Sequence, residues 1–196
     1  MPEESRRPRS RIDPRSPLVI DTRELGRRPG SMLPVTRTVP APADLELDMV
    51  GVPQGSEIEL EIRLESAMEG VLVSGTARAR MAGECVRCLG KVDGSVVADF
   101  QELYAYPGDD TDDEATRVEG DLIDLEPLLR DAVVTALPWQ PMCRPDCPGL
   151  CPDCGARLAD DPAHQHEALD PRWAALQGFL EDEEPDEHVE DETQER

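Results

Sequence analysis

Hydrophobic and charged residues alternate one by one along residues 57–65. Ile58, Leu60, Ile62 and Leu64 are separated by glutamates and one arginine. Such alternation is typical of an antiparallel strand with one face in the core and the other in solvent. The pattern therefore predicts a half-buried strand in this segment.

Two further strand-like segments follow, GVLVSGTARARM at 70–81 and SVVADFQELYAY at 95–106. They enclose the glycine-containing segment GECVRCLGKVDG. Two strands joined in this way predict a long β-hairpin, with Cys85 and Cys88 at its tip.

Hydrophobic residues at helical spacing appear next, in DLIDLEPLLRDAVVTALP at 121–138. Asp124 is a candidate N-cap, and Pro138 marks the end of the predicted helix. A shorter amphipathic segment, DPRWAALQGFL at 170–180, predicts a second helix. We therefore predict an α+β fold: an antiparallel sheet of about four to six strands with a long hairpin, one or two packing helices and a Cys-rich zinc-binding loop.

Composition changes this picture in two ways. Only 3% of the 196 residues are aromatic, so the core must consist mainly of Val, Leu, Ile and Ala. The N-terminal residues combine charges and prolines with no apolar run behind them, unlike a signal peptide, and no segment approaches the roughly 18 apolar residues that span a bilayer. We therefore predict a cytoplasmic protein, in whose reducing environment paired cysteines more often bind metal than form disulfides.

Charge is distributed unevenly along the chain. Residues 1–40 contain nine arginines against five acids, and residues 41–196 therefore carry −27, since the whole chain has a net charge of −23. We predict a disordered Arg/Pro-rich arm at 1–16, a folded domain at 17–180 and a disordered acidic tail at 181–196.

The six cysteines form three closely spaced pairs, and two histidines follow the last pair. Zinc suits such a set because thiolate sulfur and imidazole nitrogen favour a closed tetrahedral site. A Cys-x-x-Cys followed by glycine or leucine turns tightly enough for both sulfurs to face one ion. The candidate zinc ligands are Cys85, Cys88, Cys143, Cys147, Cys151, Cys154, His164 and His166.

Three groupings of these ligands are open. In the first, the hairpin tip joins Cys143 and Cys147, while Cys151 and Cys154 bind a second zinc with the two histidines. In the second, a single zinc is bound by the four cysteines of residues 143–154. In the third, the two Cys-x-x-Cys turns form one zinc ribbon. We expect one or two zinc ions with a structural role, because catalytic zinc sites keep an open position and usually use histidine or carboxylate ligands.

Thiol redox chemistry is the rival interpretation of the cysteines. A thioredoxin-type Cys-x-x-Cys lies where a strand enters a helix, whereas Cys85 follows a hairpin strand and Cys151 lies in a Pro/Gly-rich loop. The sequence also contains no Gly-rich phosphate loop and no His-Glu-x-x-His motif. We therefore predict that the protein is not an enzyme.

Basic residues follow the predicted hairpin toward its tip: Arg78, Arg80, Arg87 and Lys91, here called the basic finger. Arginine forks match phosphate oxygens well, so the basic finger is a candidate nucleic-acid contact. The alternative interpretation is that these side chains pair with the surrounding acids.

The order and spacing of several segments resemble a known family. They are LVIDTRELGRRPGS, CVRCLGKVDGSVVADFQELY, DLIDLEPLLRDAVVTALPWQPMC, CPGLCPDCGARL and DPRWAAL, which together cover about residues 17–180. They resemble the bacterial YceD proteins, the large ribosomal RNA subunit accumulation family. Members often carry Cys-x-Cys where this chain has His164-Gln-His166, which implies that both histidines are ligands.

The resemblance implies a role in the accumulation of 23S rRNA and the biogenesis of the large ribosomal subunit. The first hypothesis is a ribosome biogenesis factor that binds precursor 23S rRNA or the precursor subunit through the arm and the basic finger. The alternative is an acidic chaperone that binds a basic large-subunit ribosomal protein. Neither hypothesis involves a membrane.

Overall fold

The computed structural model describes residues 12–107 and 116–166. The chain divides into two compact units, residues 1–150 and residues 151–196. The predicted boundaries of the arm, domain and tail stay predictions, because residues 1–11 and 167–196 lie outside the described residues. The predicted helix at 170–180 lies outside them as well.

The described part of the first unit is mostly antiparallel sheet with a single short helix. Its elements are β1 (Val19–Asp21), β2 (Met32–Pro40), β3 (Glu46–Leu47), β4 (Val50–Gly51), β5 (Glu57–Ser66), β6 (Gly70–Glu84), β7 (Lys91–Ala105), β8 (Leu122–Asp124) and α1 (Glu126–Ala136). The α+β class, the antiparallel sheet and the long hairpin, β6–β7, are confirmed. No described helix has the length and hydrophobicity needed to cross a membrane.

Six strands form the main sheet. β6 and β7 are its longest members, with 15 residues each, and they pair along their whole length. The other edge of β6 is shared, because β5 pairs with residues 71–79 and β4 with Gly83 and Ala82. The path through the sheet runs β2-β5-β6-β4-β3, with β7 paired to β6. β3 therefore ends the described sheet on this path.

The core lies on one face of this sheet. The alternating residues of β5 point into it as predicted, and Ile58, Leu60 and Leu64 are at most 1% exposed. Helix α1 packs against β7 and buries Leu129 and Val133. Burial of such aliphatic side chains compensates for the scarcity of aromatic residues.

The helix is shorter than the segment predicted for it. Residues 122–124 form a strand, β8, because they pair with β1 in a separate two-stranded sheet, in which Ile123 lies opposite Ile20. Asp124 is also not the N-cap. Leu125 occupies that position without a side-chain capping bond, while Asp124 Oδ1 accepts a hydrogen bond of 2.9 Å from the N–H of Glu126. The end is as predicted, since Leu137 is extended and Pro138 follows.

Candidate functional site

The β6–β7 hairpin ends in a tight turn that carries the first Cys-x-x-Cys. The N–H of Cys85 donates to the carbonyl of Gly90 at 2.7 Å, and the N–H of Leu89 donates back to the carbonyl of Cys85 at 2.9 Å. Leu89 has a φ of 54°, a left-handed conformation that is costly for a bulky residue. The hydrogen bonds of the turn therefore stabilise a strained backbone conformation at Leu89. The same turn places the sulfurs of Cys85 and Cys88 on one side.

The loop after α1 meets this turn. The N–H of Val86 donates to the carbonyl of Pro141 at 3.0 Å, and Arg87 Nη1 donates to the carbonyl of Cys147 at 3.0 Å. Gly149 lies so close that a Cβ there would be 3.1 Å from the carbonyl oxygen of Arg87. These contacts bring Cys143 and Cys147 to the hairpin tip.

Four sulfur atoms consequently meet in the first cluster: Cys85, Cys88, Cys143 and Cys147, all within 4.8 Å of one another. The Sγ atoms of Cys85 and Cys147 are 3.8 Å apart, and those of Cys88 and Cys143 are 3.7 Å apart. A disulfide needs about 2.05 Å. Tetrahedral zinc with Zn–S bonds of about 2.3 Å separates its sulfurs by about 3.8 Å. The first cluster therefore has the dimensions of a zinc–thiolate site.

Protonation in the first cluster is uneven. Backbone N–H groups, that of Cys143 foremost, hydrogen-bond to the sulfur of Cys85 and lower the pKa of this thiol to about 6. Hydrogen bonds with the sulfurs of Cys147 and then Cys88 raise the pKa of Cys143 to about 12. Burial raises the pKa of Cys147. A bound cation would displace the protons that Cys143 and Cys147 otherwise retain.

A second cluster lies in the second unit: Cys151, Cys154, His164 and His166, whose ligand atoms also lie within 4.8 Å of one another. Its Cys-x-x-Cys turn repeats the hydrogen bonds of the first. The N–H of Cys151 donates to Ala156 at 2.8 Å, and the N–H of Gly155, at a φ of 74°, donates back to Cys151 at 2.9 Å. The two turns are therefore built alike.

Both histidines face the second cluster through Nε2. The Nε2 atoms of His164 and His166 are 2.8 Å apart, and each lies 3.1–3.2 Å from the sulfur of Cys154. These separations are a few tenths of an ångström below the roughly 3.3–3.6 Å of tetrahedral zinc with sulfur and nitrogen ligands. Cys151 is buried, whereas Cys154 and His166 are exposed, so this cluster is more open than the first.

The eight candidate ligands thus fall into the two sets of the first grouping, and both sets could hold a metal ion. Zinc binding itself stays a prediction. The spacing of the cysteines indicated which residues are candidates, but the three groupings could not be separated without the distances between the loop and the hairpin tip.

The basic finger lies on the exposed side of the hairpin. Arg78 Nη1 is 3.0 Å from Glu61 Oε1, and Arg80 Nη2 is 3.2 Å from Asp93 Oδ1, so both arginines form surface ion pairs. Lys91 lies opposite Glu84 in the β6–β7 register. Arg87, the remaining residue of the basic finger, donates a hydrogen bond to the loop after α1, at the carbonyl of Cys147. A role of these residues in nucleic-acid binding stays a prediction.

Comparison with known proteins identifies the family of this chain. Residues 73–180 match the family profile of the large ribosomal RNA subunit accumulation protein YceD. An uncharacterized protein of Mycobacterium tuberculosis is 49% identical over 170 residues, which cover 84% of this chain and 82% of the relative. One of Mycobacterium leprae is 45% identical, over 84% of this chain and 78% of the relative. No solved structure is significantly similar. The expected resemblance is thereby confirmed, and the chain belongs to the YceD family of large ribosomal RNA subunit accumulation proteins.

Proposed function

We propose that this protein is a cytoplasmic, non-enzymatic assembly factor for the large ribosomal subunit, required for the accumulation and maturation of 23S rRNA. Membership of the YceD family supports the ribosomal role. The proposed mechanism depends on the first cluster. In it, two cysteine sulfurs of the hairpin tip and two of the loop after α1 lie together.

Zinc fits both sets of ligands. Four cysteines, or two cysteines and two histidines, are the donor sets of structural zinc. In each cluster all four positions of a tetrahedron are taken by the chain, so the ion would supply a cross-link and no open position for a substrate. The first cluster would then hold the hairpin tip, and with it Arg87, in a fixed place.

The basic finger is the proposed contact with precursor 23S rRNA or the precursor particle. The ion pairs of Arg78 and Arg80 are exposed, and such pairs contribute only about 0–1 kcal/mol. Exchange of the carboxylate partner of either arginine for an RNA phosphate therefore costs little free energy. The arginine fork can then bind the phosphate in a bidentate manner.

Co-sedimentation with precursor large subunits tests this contact. We expect Arg80→Glu combined with Lys91→Glu to weaken binding and to reduce the slope of log affinity against log salt by about 2, one unit for each phosphate contact. Arg87 stays intact because it donates to Cys147. Arg63→Glu, at an exposed position of β5, is the control for a single charge reversal outside the basic finger. Equal binding by the double variant and the control would remove the basic finger from the mechanism.

The second candidate function is an acidic chaperone for a basic large-subunit ribosomal protein. The charge of −27 on residues 41–196 favours it. A depression of the first unit that is lined by carboxylates, described in the next subsection, favours it further.

A further inference from the structure

Two depressions in the first unit meet at Glu46 and are here together called the acidic groove. The larger, of about 700 Å³, lies between the β3–β4 turn and residues 138–141. The smaller, of about 340 Å³, lies between Asp44 and the exposed side of α1. Glu46 on β3 lines both depressions.

Carboxylates line the acidic groove along its length: Asp44, Glu46, Asp48 and Asp131. All four are exposed. Within the described residues none of them forms an ion pair, whereas the guanidinium of Arg130 at the groove is paired with Glu126 at 3.0 Å. The groove therefore presents unneutralised negative charge.

An exposed tryptophan, Trp139, lines the same groove. Trp139 is 80% exposed and lies among prolines at the end of α1. A tryptophan in this position offers a large contact area at low entropic cost and a face that attracts lysine or arginine. Tryptophans are also enriched among the residues that dominate protein–protein binding energies.

Both walls of the acidic groove are anchored to the same hairpin. The N–H of Glu84 donates to the carbonyl of Met49 at 2.8 Å on one side, and the N–H of Val86 donates to Pro141 at 3.0 Å on the other. A groove with walls fixed in this way loses little conformational entropy when it is filled.

We propose that the acidic groove binds an extended, basic segment of a partner protein, in which lysine or arginine residues alternate with apolar ones. Carboxylates attract the cations, Trp139 contacts the apolar or cationic side chains, and the end strand β3 offers main-chain groups along the groove. The same carboxylates repel a phosphate backbone, so the charge favours a protein over RNA. The inference deepens the second candidate function, on which it rests, because it assigns the surface where a basic partner binds; it is independent of the basic finger.

Fluorescence of Trp139 provides a direct test. The chain has two tryptophans, so Trp173→Phe leaves Trp139 as the only reporter. We expect a saturable blue shift of its emission when the full chain is titrated with a short synthetic peptide that alternates arginine and leucine. A glutamate–leucine peptide should produce no shift.

Variants then locate the site. Fluorescence anisotropy of the labelled arginine–leucine peptide should show that Glu46→Lys with Asp48→Lys weakens binding by about tenfold or more, as should Trp139→Ala. Glu57→Lys with Glu59→Lys makes the same charge change on exposed positions of β5 and should change the affinity by less than about twofold. Equal weakening by both charge variants would overturn the proposal, since it would indicate nonspecific attraction.

Other occupants give different results, each of which overturns the proposal. A single-stranded RNA homopolymer that shifts Trp139 emission while the peptide does not would assign the groove to RNA. A dimer in light scattering that Trp139→Ala dissociates would assign it to a second copy. A blue-shifted Trp139 without peptide that becomes red-shifted on removal of residues 1–11 would assign it to the chain's own arm. No ribosomal material is used, so failure here leaves the co-sedimentation result standing.

Discussion

Arg37 shows how the environment decides the role of a single residue. In the sequence it belongs to a segment with excess arginine, and nothing distinguishes it from its neighbours. In the structure its Nη1 donates to the carbonyls of Pro17, at 3.1 Å, and Val19, at 2.9 Å. Arg37 therefore ties β2 to the segment that leads into β1.

Replacement of Arg37 by methionine tests this tie. Arg37→Met keeps the aliphatic stem but leaves two carbonyls without their charged donor, so we expect the free energy of unfolding to fall by about 1–3 kcal/mol in urea denaturation. Arg63→Met is the matched control on an exposed position and should change it by no more than about 0.5 kcal/mol. Equal stability of the two variants would contradict the structural role of Arg37.

The candidate zinc ligands could be predicted one by one from the sequence, whereas the position of Trp139 at the acidic groove could not. Cysteine pairs carry their chemistry in their spacing, which needs no tertiary structure. Trp139 follows a helix-ending proline, as many loop residues do. Only its 80% exposure, beside carboxylates that form no ion pair with any described residue, distinguishes it. The left-handed backbone conformation of Leu89 could not be predicted either, because positive φ is typical of glycine and not of leucine.

Among the elements, β6 organises the fold because it has three neighbours. Its pairing with β5 and β7 was predictable from alternation and hairpin length. Its pairing with β4 was not, because a strand of two residues has no recognisable pattern. At this crossing Gly83 is required, since a Cβ there would lie 2.2 Å from the carbonyl oxygen of Met49 and 2.7 Å from Cα of Val50.

An alanine at Gly83 tests the crossing. Gly83→Ala must push β4 away from β6, so we expect the free energy of unfolding to fall by about 1–3 kcal/mol, measured by chemical denaturation. Gly94→Ala on β7 is the matched control. Its Cβ would meet only the flexible end of Met81, at 2.7 Å, and a small rotation of that side chain relieves the contact. A Gly83→Ala variant as stable as Gly94→Ala would contradict the observed position of β4.

At the scale of the whole molecule, the long-range connections were the least predictable part. Pairing of β1 with β8 joins residues about a hundred positions apart, and no local pattern indicates it. The hydrophobic residues of β8 lie at the start of the segment with helical spacing, just before the candidate N-cap Asp124, and no strand was predicted there. The family resemblance, by contrast, depends on the order of many segments and was recognisable without any structure.

Two clusters that could each hold a metal ion lead us to predict two metal ions for each chain. We expect elemental analysis of the purified protein to find about two equivalents of zinc. Cys88→Ser and His164→Ala should each remove one equivalent, because they belong to different clusters. Cys88→Ser should also lower the thermal midpoint more, since the first cluster is largely buried and joins the hairpin to a distant loop. Absence of zinc from the purified protein would contradict zinc binding. Loss of both equivalents in either variant would contradict the independence of the two sites.

The four residues of the first cluster are synthesised at two separate times, because they come from two distant parts of the chain. Cys143 follows Cys88 by 55 residues, which a translating ribosome needs about 3–11 s to add at about 5–20 residues per second. The hairpin is therefore synthesised well before the loop that completes its ligand set. Zinc bound here would close the cluster only after Cys147 has been synthesised, so a shortage of zinc would leave a chain whose main sheet is complete but whose hairpin tip is not cross-linked to the loop after α1.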